Sequence, residues 1–458
     1  MKYSLVLVLA LLISTVTAVS QQSDASLRLA TEKDRSDRTA GGGLPTLTAA
    51  EHLARGKAYF DNRHFPEARA HFQKIIENYP NDAAMAPALF MTGRAYYWER
   101  DYRKCITWLD RVSREYPATK DGREGLAFKG ACDVRLGNNT EAAKIYEQYT
   151  VMYPNGERVE SAHLNIIDAL REAGEFDDAI AWVSKARIRF AGMPAETNAL
   201  HAQLRMEIFR GRWAEAEMVA NTMLTSARFS DSMTSIDEVR YLKGLALEKA
   251  GRKQQAMDTY GSIPNSLSSY YGGLASERLA KNGAKMHIPA PPTPKQIADS
   301  PVMYRSEVLQ YSKKHKIDPR FVLAIMKQES SFRSGAKSPS AARGLLQLVY
   351  DRALHYNKEA GFPTLQPDDL YQPAVNIAIG IEYMADLNDQ FDGLYEAIAA
   401  SYNGGEDNAA RWLNRSKPKE AGIFTAEVGF AETKHYVTRV MTNYRIYRAL
   451  YDERLQRF

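Results

Sequence analysis

Gly56, Gly93 and Gly130 stand 37 residues apart, and this interval runs through the first half of the chain. Phe65, Tyr102 and Phe176 keep it, as do Ala68, Cys105, Ala142, Ala179 and Ala216. The dipeptides Tyr79-Pro80, Tyr116-Pro117 and Tyr153-Pro154 close three consecutive units. A period in this range is that of a helix-turn-helix repeat, whose units bury their apolar faces by stacking on one another. Small residues let neighbouring helices approach, and aromatic residues fill the space between them. Each Tyr-Pro ends a second helix, because proline cannot continue it. The pattern continues less regularly through "YLKGLALEKAGRKQQAMDTYGSIP". Such an array curves into a superhelix with an extended concave surface, suited to something long or to several partners.

The units "GKAYFDNRHFPEARAHFQKIIENYP" and "GRAYYWERDYRKCITWLDRVSREYP" resemble tetratricopeptide repeats, lengthened by about three residues. Cys105 and Cys132 are the two cysteines, with no CxxC spacing, so neither a zinc site nor a redox motif is supported. They either pair in an oxidising compartment or pack as small core residues. The repeat register favours packing, since it places both at small-residue positions. The net charge of +5 on 458 residues is spread thinly, without the Lys/Arg stripe that nucleic-acid binding needs.

The N-terminus, "MKYSLVLVLALLISTVTA", has a lysine, an apolar core and a small-residue exit, which predicts a secretory signal peptide over 1–18. No cysteine follows as a lipoprotein anchor, and no other stretch reaches the roughly 20 apolar residues of a transmembrane helix. A soluble periplasmic protein without a transmembrane anchor is expected. Residues 19–46 are polar and Gly-rich and read as a disordered leader. The repeats are expected over 47–280. Four prolines between Pro289 and Pro294 predict a stiff, non-helical connector over 281–300. Residues 301–458 form a further, mostly helical domain, so the fold class is all-α.

In that last domain Asp318-Pro319 marks a helix start, and Val322, Ile325, Met326 and Glu329 fall on one face. An acid on an apolar face has its charged form disfavoured and its pKa raised toward the range of a glycosidase general acid. The alternative is a frayed, solvated helix end. Small residues in "SGAKSPSAARG" then allow close approach of backbone to a ligand, and "GLLQL" sets Gln347 in an apolar run. "EAIAASYNGG" ends a helix at Tyr402-Asn403 beside paired glycines. Glu432 opens another amphipathic helix, where its charge suits the dipole in any case. The stripe Tyr436, Val440, Tyr444, Tyr447, Tyr451 reads as core packing.

Together these segments resemble a soluble, modular lytic transglycosylase: a superhelical α-domain followed by a goose-lysozyme-like catalytic domain. The resemblance rests on Glu329-Ser330, Ser338-Pro339, Gly344-Leu345-Leu346-Gln347, Ser401-Tyr402-Asn403-Gly404-Gly405, and Glu432-Thr433 with Tyr436-Val437. "YQPAVNIAIGIEYMADL" and "YYGGLASERLA" extend it over the chain after the leader. It implies cleavage of the β-1,4 bond between N-acetylmuramic acid and N-acetylglucosamine in peptidoglycan glycan strands. Glu329 would serve first as acid and then as base, closing a 1,6-anhydro ring. Substrate assistance by the N-acetyl group needs only one carboxylate. By position, Ser338, Leu346, Gln347, Tyr402, Asn403 and Glu432 would contact substrate or support Glu329. No cofactor and no metal are implied, and cell-wall proteins are conceivable partners of the repeats. The sequence departs from the family pattern where Ala341 replaces a glycine, Leu346 a methionine, and Val349-Tyr350 a Met-Pro. Two other readings stand beside this one: a hydrolase using a second carboxylate among Asp351, Asp368 and Asp369, and a non-catalytic wall-binding scaffold.

Overall fold

A computed structural model describes residues 25–39, 42–284 and 288–458; the expected signal peptide lies outside them. The described residues form helices, joined by turns and two isolated β-bridges. None of these helices is long and apolar enough to cross a membrane. The chain divides into two compact units, Met1–Trp182 with Lys337–Ala342, and Val183–Ala336 with Arg343–Phe458.

In the first unit, helix pairs follow the 37-residue period: Ala49–Asp61 with Phe65–Asn78, Met85–Trp98 with Tyr102–Glu115, and Lys120–Leu136 with Asn139–Met152. The repeated glycines are sites of close approach. A Cβ on Gly56, Gly93 or Gly130 would lie 2.5 Å from Phe72, 2.6 Å from Leu109 and 2.8 Å from Tyr146, each on the second helix of its own pair. Ala68, Cys105 and Ala142 are fully buried on the opposing helices. Tyr79, Tyr116 and Tyr153 cap the second helices, as the Tyr-Pro pairs predict. Against the expectation that they pack as unpaired core residues, Cys105 and Cys132 are joined in a disulfide, Cα atoms 6.7 Å apart, because the register sets them on facing helices of adjacent repeats.

The expected disordered leader is in part a helix, over 25–37. Its Asp34 is buried. The carboxylate accepts from Arg55 Nη1 at 2.6 Å and Tyr59 Oη at 2.8 Å, and meets His71 Nε2 at 2.9 Å. Local polarity suggested disorder. The partners that order this segment come from the first repeat, between 18 and 37 residues further on.

In the second unit, one hydrophobic cluster runs from Leu200 in the later repeat helices to Leu455 near the C-terminus. The proline-rich stretch crosses it without dividing it. Contrary to the expected non-helical connector, this stretch holds a helical turn, Pro294–Ala298, with a Thr293/Gln296 capping box. Buried charges also join its two sides: Lys434 Nζ lies 2.9 Å from Glu238, and Arg205 Nη1 2.9 Å from Glu427.

Candidate active site

The helix Pro319–Ser330 begins at the expected cap, where Asp318 accepts from the backbone N–H of Arg320. Phe321 through Met326 are completely buried, so this helix is the centre of its domain. Ser331 and Phe332 both have positive φ and end it abruptly. Glu329 sits in the last turn, half-buried. Its carboxyl is pushed up to about 7 by burial, against the opposing pull of a hydrogen bond from Tyr436. Being at a helix C-terminus, next to unpaired carbonyls, also disfavours the anion.

Tyr436 Oη donates to Glu329 Oε1 at 2.5 Å. Tyr436 lies on the helix Ala431–Leu450, which packs along the Glu329 helix and grips both its ends. At the other end Tyr444 Oη donates to the capping Asp318 at 2.8 Å. The tyrosine stripe is buried, as its spacing predicts. Its hydroxyls have work that the apolar reading missed, since Tyr447 and Tyr451 bind the carbonyls of Pro301 and Ser300. Among the described residues Oε2 of Glu329 makes no hydrogen bond.

Tyr402 belongs to the same cluster. Its hydroxyl donates to the Gly380 carbonyl at 2.8 Å, its ring lies 5.1 Å from that of Tyr383, and burial above all, followed by Tyr383 and Glu329, pushes its phenol well above the usual range. Asn403 Oδ1 accepts from Thr433 Oγ1 at 2.6 Å, fixing the end of the helix Tyr395–Gly404 to the start of Ala431–Leu450. Glu432, between Ala431 and Thr433, is exposed in the first helical turn.

Gln347 and Leu346 lie in a tight turn closed by paired Arg343–Leu348 backbone hydrogen bonds. Gln347 has a φ of 46°, and its amide donates to the carbonyls of Gly344 and Ala336 at 2.8 and 3.1 Å. Its NH2 group is thus a brace for the loop. Leu346, expected at the substrate, instead has its side chain fully in the core, packed where a Cβ on Gly380 would be 2.4 Å away. Asn376, not singled out from sequence, organises this turn. Fully buried, it accepts from the Leu346 N–H at 2.8 Å and donates to the Arg343 and Leu370 carbonyls at 2.9 and 2.8 Å. Gly344, at φ 79°, leaves room for it: a Cβ there would sit 2.3 Å from the Asn376 amide.

Ser338 lies in the segment 337–342, which groups with the first unit. It closes a reverse turn on itself, its Oγ accepting from the Ala342 N–H at 3.1 Å. Ala341 in that turn has a φ of 61°, a left-handed conformation that a glycine adopts freely. Of the acids considered for a hydrolase, Asp369 is spent on the Gln366 N–H and the Gln372 amide, Asp368 is exposed, and Asp351 lies in the first turn of Tyr350–Tyr356.

Comparison with known proteins matches residues 307–424 to the transglycosylase SLT domain, and residues 49–82 and 133–194 to tetratricopeptide repeats. The chain carries an SLT domain. Its SLT region is homologous to soluble lytic murein transglycosylases. The Salmonella typhimurium protein of that name is 31% identical over 150 residues, 32% of this chain and 23% of the relative. A putative soluble lytic murein transglycosylase of Haemophilus influenzae is 35% identical over 126 residues, 27% of this chain and 21% of the relative. These matches span less than a quarter of either relative. Among solved structures, an inactive glutamate-to-glutamine mutant of lytic transglycosylase Slt from Pseudomonas aeruginosa aligns over 87% of this chain and 72% of its own. Its TM-score is 0.52 at 17% identity, a likeness of fold.

Proposed function

We propose that this chain is a periplasmic lytic transglycosylase that cleaves the β-1,4 bond between N-acetylmuramic acid and N-acetylglucosamine in peptidoglycan, leaving 1,6-anhydro ends. The observation that carries the reading is Glu329, whose carboxyl is pushed up to about 7 within the matched SLT domain and fastened through one oxygen by Tyr436. A protonated carboxyl near neutral pH gives its proton to the departing glycosidic oxygen. The substrate's own N-acetyl group steadies the developing cation. The carboxylate then takes the proton of the muramyl 6-hydroxyl, whose oxygen closes on the anomeric carbon, so no water is consumed. Burial is the dominant influence on Glu329, and of the acids weighed for hydrolysis Asp369 is already engaged by the Gln366 N–H and the Gln372 amide.

The test is digestion of purified peptidoglycan with the native protein and with Glu329→Gln, followed by mass analysis of the products. Anhydro ends, one water lighter than reducing ends and lost in Glu329→Gln by at least 100-fold, are the expected outcome. Reducing ends would identify a hydrolase, and release of nothing by the native protein would leave a wall-binding scaffold.

A further inference from the structure

Arg94, on the helix Met85–Trp98 of the first unit, has no hydrogen bond and no ion pair among the described residues. Its Nε is buried without a partner, and burial holds its guanidinium below the usual range. Three phenyl rings surround it: Phe128 at 5.2 Å, Phe60 at 5.5 Å and Phe90 at 5.7 Å. These rings come from the first helices of three successive repeats. Among the described residues, Arg135 hydrogen-bonds a phenol alone, its Nη2 donating to Tyr97 Oη at 3.1 Å while Nη1 is buried without a partner. By contrast, the buried Arg55 ends on Asp34 and the exposed Arg158 on Glu124. The acids that act on Arg94 do not reach it. Glu124 is held by Arg158 at 2.9 and 2.7 Å, and Asp61 forms no ion pair with it. A desolvated, unpaired charge is costly, and three aromatic faces offset only part of that cost.

We propose that Arg94, with Phe60, Phe90 and Phe128 and flanked by Arg135, is a carboxylate-binding site that takes a peptide stem of the wall polymer. A planar guanidinium presents paired donors matched to a carboxylate, and the rings suit the methyl-bearing residues beside it. The stems carried by peptidoglycan are short peptides with free carboxylates next to alanine methyl groups. The choice of stem rests on the function proposed above; the anion site itself does not.

Binding is measured by calorimetry on the full chain carrying Glu329→Gln, so that no turnover occurs. The probes are free stem tetrapeptide released from peptidoglycan, the peptide-free disaccharide, and an unrelated tetrapeptide of equal charge. The stem is expected to bind saturably, about tenfold or more weaker when Arg94→Met is added, with an intermediate loss in Arg94→Lys, which retains charge and fold but not the planar fork. Disaccharide binding should not change. Equal stem affinity in Arg94→Met and the parent, or absence of saturable stem binding, overturns the site. Equally tight binding of the unrelated peptide overturns the assignment to the stem. Neither readout requires cleavage, so failure of the catalytic reading and failure of this one are separable.

Discussion

At the scale of single residues, Glu329 and Tyr436 form the pair on which the proposed chemistry turns. With Oε1 fastened by the phenol, the proposed reaction leaves Oε2 to exchange the proton, so donation and recovery would both pass through one atom. Tyr436 favours the anion, so Tyr436→Phe should raise the Glu329 pKa further and move the alkaline limb of the rate profile, expected near pH 7, to higher pH. A pH–rate series on both proteins checks this; a limb that moves down contradicts it. The same shift has a stability sign. The folded-state value lies above the usual 4.5, so the native chain keeps a proton that the unfolded chain releases, and stability falls as pH rises from about 4.5 to about 7. Ala341 at φ 61° is a second residue-scale case, because Ala341→Gly removes a Cβ clash in the left-handed region. It should raise unfolding stability by about 0.5–1 kcal/mol in urea denaturation, net of the extra freedom glycine gives the unfolded chain. That departure was legible in the sequence. Tyr436 was legible as a member of the buried stripe and of the Glu432-Thr433 and Tyr436-Val437 motif, but not as the donor to Glu329, because its acceptor lies 107 residues away and no local pattern encodes that bond.

At the scale of helices, the repeat period was readable because small residues opposite large ones recur wherever one helix pair repeats the packing of the last. What it hid was the turn within each pair. Arg63, Arg100, Gly137, Gly174 and Gly211 share the 37-residue register, and all adopt positive φ. Glycine announces that conformation, whereas arginine does not, so the first two turns carried no signal. The helix over 25–37 was missed for a related reason, since its order comes from Arg55, Tyr59 and His71 rather than from its own composition. The disulfide belongs to this scale too. It joins the second helix of one repeat to the first helix of the next across 27 residues. Removing it as Cys105→Ala with Cys132→Ala should cost about 3 kcal/mol, read as a lower urea midpoint that added reductant no longer affects.

At the scale of the molecule, the proline-rich stretch looks like a place to cut, and the core says otherwise. Apolar residues before and after it share one cluster, and the Lys434–Glu238 and Arg205–Glu427 pairs span it. A fragment beginning at Pro301 would keep Lys434 and Glu427 but lose Glu238 and Arg205, and would expose the wall those helices cover. Such a fragment is expected to bind a hydrophobic dye and to lose cooperative melting, while one beginning at Val183 retains both partners and should melt cooperatively; calorimetry of the two decides. A chain built this way is not an SLT domain on a tether. Its last repeats are part of the wall behind the helix that carries Tyr436, so recombination that swapped the array at the prolines would have to bring matching counter-charges with it, and the array and the SLT domain are bound to diversify together.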